Sequence, residues 1–537
     1  ARRGAAAGAI AVEARIAGLA ASAVVLAGVC LQRAYPRIEV PTPSRIALLV
    51  ASATAIGWIA RAGVLHARSA PFLGGLRNPA WAVVLLGGGL WLATARPWTP
   101  APTNARNVLL VGIDTLRADR FDATASGQAS ATIMPHLGAL AARGTVFRNA
   151  ISQAPWTLPA FASILTGKYP PEHGAISLIG ILRSEELTLA EVLREAGYTT
   201  RAVVSHAVVG SSRGFAQGFE SIDERYALGH DAVTSARVTD AAIAALRTRD
   251  PRQPFFLFVH YFDPHYEYRD HRSWSFADAY DGWLTKQPLD INNLLLNRHL
   301  LDDADAQYLR DLYDEEIAYT DRHIGRLLAF LRDAGLEDDT LIIIVADHGE
   351  EFLEHGSLTH TTTLYEELIR VPLLIAPPAG ASGPRFVDEP VETRAIFDTV
   401  IRHLGVREAP VTSARDLWPL LRQDAPRPQE DLGAPAFSTV WLPDAPLDTG
   451  KRVRLSAVRT RRWKLIVDHG RSSESLFDLA MDPGERNDLS GRDVAIRTRL
   501  RSLHDSWFEA VGAGDVEGPT RTLDREEVER LRALGYL

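Results

Sequence analysis

Several long apolar segments of this chain stop at an acid or a histidine, and that pattern restricts the folds open to the chain. The segments show no alternation of polar and apolar residues, which is typical of strands buried on both faces of a parallel sheet. They are Asn107–Asp114, Arg201–His206, Pro254–Phe262, Leu341–His348 and Val371–Pro377. Ligands gather at the carboxyl ends of such strands, so the polar residues there mark a candidate site.

Helical stretches lie between these strands. They span Pro135–Arg143, Leu187–Ala196, Asp231–Thr248 and Asp303–Ala334. The alternation predicts an α/β fold with a doubly wound, mostly parallel sheet. A composition shift at Ala425–Pro435 separates a catalytic domain, predicted over 104–430, from a smaller C-terminal α+β subdomain, predicted over 431–537. A final helix is predicted over Leu523–Leu537.

The first hundred residues have a different character. Three apolar stretches without Asp, Glu, Lys or Arg are each bracketed by arginines: Ile16–Gln32, Ile46–Ala60 and Ala80–Ala95. Each is shorter than the roughly 20 residues that a bilayer core requires, but flanking arginines can snorkel to the interface. The pattern predicts a multi-pass membrane region over 1–100 with about three transmembrane helices, and a catalytic domain outside the cytoplasm. Buried soluble helices are the alternative.

Composition excludes some classes of function. The formal net charge is −8 and no Lys- or Arg-rich run occurs, so nucleic-acid binding is not predicted. The single cysteine, Cys30, excludes both a disulfide framework and a cysteine-based metal site. With 46% hydrophobic residues in a chain of 537, a large buried core is expected.

Two acids and a histidine end the central apolar segments. Asp114 follows NVLLVGI, and Asp347 and His348 follow LIIIVA. A capping role is the commoner one for a single acid after a strand. Strand ends of one sheet can converge on a point, however, and this set of oxygen and imidazole groups suits a divalent cation.

Thr157 lies just before a predicted helix, Ala160–Leu165. Backbone N–H groups at a helix N-terminus favour an anionic phosphate or sulfate oxygen. Taken locally, a threonine in this position is usually an N-cap. An alcohol is also a poor nucleophile unless a metal lowers its pKa.

Three blocks in order, Asn107–Phe121, Pro155–Gly174 and Leu341–Gly356, resemble the signature blocks of the sulfatase family, within the alkaline phosphatase superfamily. A fourth, Val458–Gly491, resembles the family's C-terminal subdomain. The resemblance runs from about Asn104 to the end of the chain. It implies that Asp114, Thr157, Asp347 and His348 bind a divalent metal ion, with Zn, Mn, Ca and Mg all open, and that Thr157 is the nucleophile.

Two more histidines become candidates through the resemblance. His265 and His360 fall where family members keep groups that act on the scissile ester, by protonating the leaving group or neutralising an oxygen. For each of these histidines, the alternative is a bystander role in a loop. His173, His260 and His355 are expected to have structural or supporting roles.

The chain also departs from the family pattern. The family's Cys or Ser in C/S-x-P-x-R, which is converted to formylglycine, is replaced by Thr157, and Phe161 stands where the arginine belongs. Thr115 replaces the second acid of a usual pair. Formylglycine chemistry is therefore not expected, and a threonyl ester, which must be displaced by a second nucleophile, favours phosphate over sulfate.

The leading hypothesis is a membrane-anchored, metal-dependent hydrolase of phosphate or sulfate esters, on a lipid- or glycan-linked substrate. An envelope phosphoethanolamine or phosphoglycerol transferase with the same site is the alternative, because no residue decides what displaces the ester. A catalytically inactive membrane receptor or scaffold is the second alternative. Substrate specificity is expected to lie within His271–Asp303.

Overall fold

The fold is described from a computed structural model. It covers residues 106–125, 133–227, 234–265, 268–269, 271, 273–286, 289–378, 385–406, 412–421, 434–442, 452–514, 516, 518–522, 525 and 528. They belong to one compact unit, Pro102–Leu537. The three predicted membrane segments and nearly all of the predicted final helix lie outside these residues. Among the helices within them, none is both long enough and apolar enough to cross a membrane.

Seventeen strands occur in the described ranges. They are β1 (Asn107–Ile113), β2 (Thr145–Phe147), β3 (Ala150–Ile151), β4 (Thr199–Val203), β5 (Ser221–Asp223), β6 (Phe255–Tyr261), β7 (Thr340–Ala346), β8 (Glu351–Phe352), β9 (Leu358–Thr359), β10 (Arg370–Val371), β11 (Leu373–Ala376), β12 (Arg385–Val387), β13 (Val391–Glu392), β14 (Ala436–Leu442), β15 (Val453–Arg459), β16 (Trp463–Asp468) and β17 (Ser473–Asp478).

Twelve α-helices occur in the same ranges. They are α1 (Ala118–Ala125), α2 (Pro135–Ala141), α3 (Thr157–Thr166), α4 (Pro170–His173), α5 (Leu189–Glu195), α6 (Ser235–Arg247), α7 (Ile291–Leu296), α8 (Asp303–Asp333), α9 (Glu366–Ile369), α10 (Ala395–Leu404), α11 (Trp418–Leu421) and α12 (Val494–Ala510).

A central eight-stranded sheet organises the molecule, in the order β12-β2-β11-β7-β1-β6-β4-β5. Its strands pair in parallel except at β11, which is antiparallel to both β2 and β7. This confirms the predicted mostly parallel sheet. All residues of β1, β6 and β7 are buried, so both faces of the sheet centre are covered. The unbroken apolar runs reflect that two-sided burial.

Helix α8 supports one side of the core through contacts with α6 and α2. Its first turn is capped by Asp302, whose side chain accepts the N–H groups of Ala304 and Asp305. From its interior, the buried Asp321 accepts the N–H groups of His136 (3.0 Å) and Leu137 (2.8 Å). An acid of α8 thereby caps the start of α2, which ties the two helices together.

The C-terminal part forms a separate antiparallel sheet, β14-β15-β16-β17, with α12 packed on β15 and β16. Its first strand contacts the catalytic part directly, because Thr439 N–H donates to the carbonyl of Gln153 (2.9 Å). The predicted division at residue 430 remains a prediction, since residues 422–433 lie outside the description.

A buried charge cluster centred on Lys464 also joins the two sheets. The fully buried Lys464 ammonium donates to Glu366 Oε1 (3.3 Å) and lies 2.9 Å from Glu485 Oε1. Arg459 donates to the other oxygen of Glu366 (3.2 Å). Burial acts to raise the pKa of Glu366, but Arg459 and Lys464 outweigh it and lower the pKa to about 2. Burial raises the pKa of Glu485 to about 7 against the opposing charge of Lys464.

Replacing Lys464 with methionine is expected to lower the free energy of unfolding by about 3–5 kcal/mol, because Glu485 then stays buried without its cation and Glu366 loses one of the cations that face it. Urea unfolding followed by tryptophan fluorescence measures the change. The matched control is Arg252→Met, which removes the cation of an exposed pair with Asp250 (2.8 Å) and should leave stability unchanged. Equal effects of the two substitutions would contradict a stabilising role for the cluster.

Candidate active site

Strand register brings the two predicted acids together. Strands β1 and β7 are parallel neighbours with Ile113 opposite Ala346, so Asp114 and Asp347 leave the sheet side by side. Both side chains are fully buried. Within the described residues, neither oxygen of Asp114 accepts a hydrogen bond, and nor does Oδ2 of Asp347. Buried carboxylate oxygens without hydrogen bonds are costly and call for a ligand.

His348 completes this arrangement. Its Nδ1 lies 2.9 Å from the carbonyl oxygen of Gly349, so Nδ1 carries the proton and Nε2 presents a lone pair. Nε2 lies 3.6 Å from Asp114 Oδ1, 3.4 Å from Asp347 Oδ2 and 3.2 Å from Thr157 Oγ1. One ligand atom from each of Asp114, Asp347 and His348 lies within 4.8 Å of the others. These residues fit a divalent cation.

The charges of Asp114 and Asp347 also favour a bound cation. Burial, followed by repulsion from Asp347, raises the pKa of Asp114 well above its ordinary value. Asp347 is partly compensated, because its Oδ1 accepts the N–H groups of His348 (2.9 Å) and Thr115 (3.3 Å). A cation shared between the two acids offsets the remaining repulsion.

Thr157 is the first residue of α3, three residues earlier than the predicted helix start at Ala160. The predicted helix begins only after Pro159, because proline often interrupts helices. In the first turn, however, a proline costs no intrahelical hydrogen bond. The first intrahelical hydrogen bond of α3 joins Ala160 N–H to the Trp156 carbonyl (3.3 Å). The N–H groups of Thr157 and Leu158 therefore come before the first intrahelical hydrogen bond, and they lie beside the buried Thr157 hydroxyl.

His265 and His360 lie next to each other, and His360 lies next to His348. The ring centroid of His360 is 4.3 Å from that of His348 and 4.9 Å from that of His265. His360 Nδ1 also lies 2.9 Å from Glu350 Oε1. Burial, reinforced by His348, lowers the pKa of His360 well below its usual value, while burial raises the pKa of Glu350 to about 8. The site therefore contains a buried carboxyl–imidazole pair.

Two further histidines face Asp114 Oδ2. His260 Nε2 lies 3.4 Å from this oxygen and His206 Nδ1 lies 3.7 Å from it. Burial lowers the pKa of His260 to about 4. The sequence interpretation treats His206 only as a strand end and does not assign it to the site. The same signal that marks Asp114, a polar residue closing an apolar segment, identifies it.

His173 and His355 contact residues other than Asp114 and Asp347. His173 supports α3 from behind, with Nε2 3.1 Å from Ser163 Oγ and Nδ1 accepting Ala175 N–H (3.1 Å). His355 stacks on Tyr365, with ring centroids 3.6 Å apart. Each position suits the structural role expected from the sequence.

Two of the three departures from the family pattern, Phe161 and Thr115, flank the site. Phe161 lies edge-on to His260, with ring centroids 5.0 Å apart, and a Cβ on Gly112 would approach the Phe161 ring to 2.6 Å. Thr115 has φ of 56°, which a β-branched residue rarely adopts. Its carbonyl accepts the hydroxyl of Tyr313 (2.8 Å). Strain of this kind persists where surrounding contacts fix the backbone, commonly at functional sites.

A buried pair of acids and a histidine at the carboxyl ends of adjacent parallel strands, beside a hydroxyl on a helix start, suits a metal-dependent hydrolase. Residues 106–406, more than half of the chain, match the sequence model of the sulfatase family. The protein therefore belongs to the sulfatase family. The assignment of individual metal-binding and catalytic residues stays a prediction.

Known proteins resemble the chain over most of its length. The choline-sulfatase of Rhizobium meliloti (strain 1021) is 26% identical over 469 residues, covering 76% of this chain and 88% of that protein. The structure of BT4656 in complex with its substrate D-glucosamine-2-N,6-O-disulfate has a TM-score of 0.63 at 19% identity. The match covers 76% of this chain and 99% of that chain. The phosphonate monoester hydrolase from Silicibacter pomeroyi has a TM-score of 0.60 at 22% identity, covering 77% and 99%. The structural similarities establish the fold.

Removal of divalent ions is expected to lower the midpoint of thermal unfolding, because a cation held by the acids stabilises only the folded state. Re-addition of Zn, Mn, Ca or Mg separately should show which ion restores it. Asp347→Asn should abolish the response and the bound metal measured by elemental analysis.

The control for this experiment is Asp321→Asn, which alters a buried acid that caps α2 and should retain the response to metal. A wild-type midpoint that responds neither to chelation nor to any of the four ions would rule out the metal site.

Proposed function

We propose that this sulfatase-family hydrolase cleaves phosphate esters in preference to sulfate esters through a covalent ester of Thr157. The observation that carries the proposal is the position of Thr157 Oγ1, at the start of α3 and 3.2 Å from His348 Nε2. A threonine hydroxyl, rather than a formylglycine precursor, thus lies beside His348, one of the proposed metal ligands. A threonyl sulfate lacks the route by which a geminal diol expels sulfate, so phosphoryl transfer is the better-supported reaction.

Asp114, Asp347, His348 and Thr157 would hold the ion. When bound, a divalent ion supplies Lewis-acid activation of a hydroxyl and neutralises charge on an anionic ester. The chain itself contributes orientation: the carbonyl of Gly349 fixes the ring of His348, and two N–H groups fix Asp347. The N–H groups of Thr157 and Leu158 at the start of α3 suit a non-bridging ester oxygen.

The reaction takes two displacements. Thr157 reacts as its alkoxide, its hydroxyl proton having been released to solvent. Its oxygen forms a bond to phosphorus as the bond to the leaving oxygen breaks, and the leaving oxygen takes a proton from His265 or His360. Water then attacks the Thr157 ester, the proton lost by water returns to the histidine, and the bond to Thr157 breaks to restore the alkoxide. Two inversions give net retention at phosphorus.

An acceptor alcohol in place of water would make the protein a transferase. Anchoring through the three arginine-bracketed apolar segments, with the catalytic domain outside the cytoplasm and acting on lipid- or glycan-linked esters, is also part of this proposal. It is supported by the sequence pattern of residues 1–100.

Thr157→Ala is expected to reduce kcat/KM for an aryl phosphodiester by about 10³-fold or more, because the nucleophile is removed. Mass spectrometry of wild-type protein quenched during turnover should show a phosphoryl adduct on the peptide that carries Thr157. The matched aryl sulfate should react more slowly. The control is Thr166→Ala, at the other end of α3, whose hydroxyl donates to the carbonyl of Ala162 and accepts the N–H of Lys168 (3.3 Å).

Several results would contradict the proposal. Near-wild-type activity of Thr157→Ala would exclude this nucleophile, and faster turnover of the sulfate would exclude the phosphate preference. Product formed chiefly on an added acceptor alcohol would identify a transferase. A metal-bound protein inactive on all esters would favour the receptor or scaffold alternative.

A further inference from the structure

We propose that Tyr313 is a positioning residue of the metal site, which fixes the peptide group between Asp114 and Thr115. It acts through the backbone of Thr115 rather than by binding the ion or the substrate. This role rests on the part of the proposed function that assigns a divalent ion to Asp114, Asp347 and His348. It is independent of the choice between phosphate and sulfate esters.

The side chain of Tyr313 lies in α8 and is fully buried. Its hydroxyl donates to the carbonyl of Thr115 at 2.8 Å and accepts the N–H of Arg117 at 2.9 Å. One hydroxyl group therefore bridges a carbonyl and an N–H group that are two residues apart in the chain. Both backbone groups belong to buried residues, so removal of the hydroxyl leaves a buried acceptor and a buried donor without this partner.

Aromatic neighbours hold the ring of Tyr313. Its centroid lies 5.2 Å from that of Phe352 and 5.9 Å from that of Tyr268, with interplanar angles of 58° and 80°. Such tilted and edge-on arrangements are the ones that aromatic rings prefer. Because phenylalanine has the same ring, Tyr313→Phe removes the two hydroxyl contacts and keeps the packing.

The backbone that this hydroxyl holds is strained at Thr115. This residue has φ of 56°, a left-handed conformation that β-branched residues rarely adopt. Among the described residues, the Thr115 hydroxyl makes no hydrogen bond that would favour this conformation. Strained backbone persists only where the surrounding contacts determine it. The bridge from Tyr313 is such a contact, because it fixes both the carbonyl of Thr115 and the N–H two residues later.

The strained residue is linked to both acids of the candidate metal site. Thr115 N–H donates to Asp347 Oδ1 (3.3 Å), and this N–H belongs to the peptide group that follows Asp114. A rotation about φ of Thr115 turns that peptide group relative to the carbonyl that Tyr313 holds. Relaxation of the strain would therefore weaken the hydrogen bond to Asp347, whose other oxygen, Oδ2, lies 3.4 Å from His348 Nε2.

The test measures the dissociation constant of the ion by isothermal titration of metal-free protein with Zn, Mn, Ca or Mg, each alone. Only binding that Asp347→Asn abolishes is counted. Tyr313→Phe is expected to raise the dissociation constant by about 10-fold, the lower end of the loss that follows removal of groups supporting metal ligands.

The matched control is Tyr261→Phe. Tyr261 is also fully buried, and its hydroxyl lies 2.7 Å from Thr239 Oγ1 of α6. The control should lower the midpoint of thermal unfolding of metal-free protein, as Tyr313→Phe does, because each substitution removes a buried hydrogen bond. It should leave the dissociation constant of the ion within about 2-fold of the wild-type value.

Thr115→Gly separates positioning from general stability. Glycine adopts φ of about +60° without steric cost, so this substitution removes the strain that Tyr313 opposes. The loss of affinity caused by Tyr313→Phe should therefore fall from about 10-fold to less than about 3-fold in the Thr115→Gly background. A purely structural role of Tyr313 gives the same loss in both backgrounds.

Hydrogen exchange of metal-free wild-type protein is the second measurement, and it keeps the role testable if Tyr313→Phe does not fold. The amide of Arg117, which donates to the Tyr313 hydroxyl, should exchange as slowly as the amides of β1. Rapid exchange at this amide would overturn the role of Tyr313.

Two results of the titrations would also overturn it. One is an equal dissociation constant in Tyr313→Phe and Tyr261→Phe, and the other is an equal loss of affinity with threonine and with glycine at position 115. If wild-type protein binds none of the four ions, the proposed function fails first. If it binds an ion and only these comparisons fail, the proposed function stands without the role of Tyr313.

Discussion

Two fully buried carboxylates on adjacent strands are the constraint around which the rest of the site is organised. Asp114 and Asp347 are neighbours because β1 and β7 pair in parallel register, and both side chains are fully buried. Two like charges about 4 Å apart repel by about 4 kcal/mol at an effective dielectric constant of about 20, before any desolvation cost. A cation between the two carboxylates would offset that repulsion, which links the fold to the candidate metal site.

The surrounding contacts show how that cost is distributed. Asp347 receives two backbone N–H groups, one of them from the strained Thr115, whereas Asp114 is approached by three imidazoles, from His206, His260 and His348. Asp347 is thus fixed by hydrogen bonds, and Asp114 carries most of the uncompensated charge. The raised pKa of Asp114 expresses that asymmetry, since burial and Asp347 together disfavour its charged form.

The sequence predicts the strand ends of this site well because continuous apolar runs leave little doubt about where a buried strand stops. Asp114 and Asp347 follow directly from that pattern. His206 closes a similar apolar segment, but β4 ends at Val203, so the sequence alone does not show that the chain beyond this strand brings its ring beside Asp114. The contact of Glu350 with His360 is also beyond sequence reasoning, since it depends on a close approach between two loops. The start of α3 was placed too late because proline usually interrupts helices, except in their first turn.

Phe161 and Thr115 are best understood as one change rather than two. Relative to the family pattern, Phe161 removes a fixed positive charge and Thr115 removes a fixed negative charge, so the balance of the site is preserved with fewer buried ions. The ring of Phe161 fills the space over Gly112 and lies edge-on to His260, which in turn faces Asp114. An arginine restored at position 161 without an acid at position 115 would leave one buried cation unmatched, and the reverse change would add a third acid to two that already repel. Changing either position alone would therefore alter the charge beside Asp114 and Asp347.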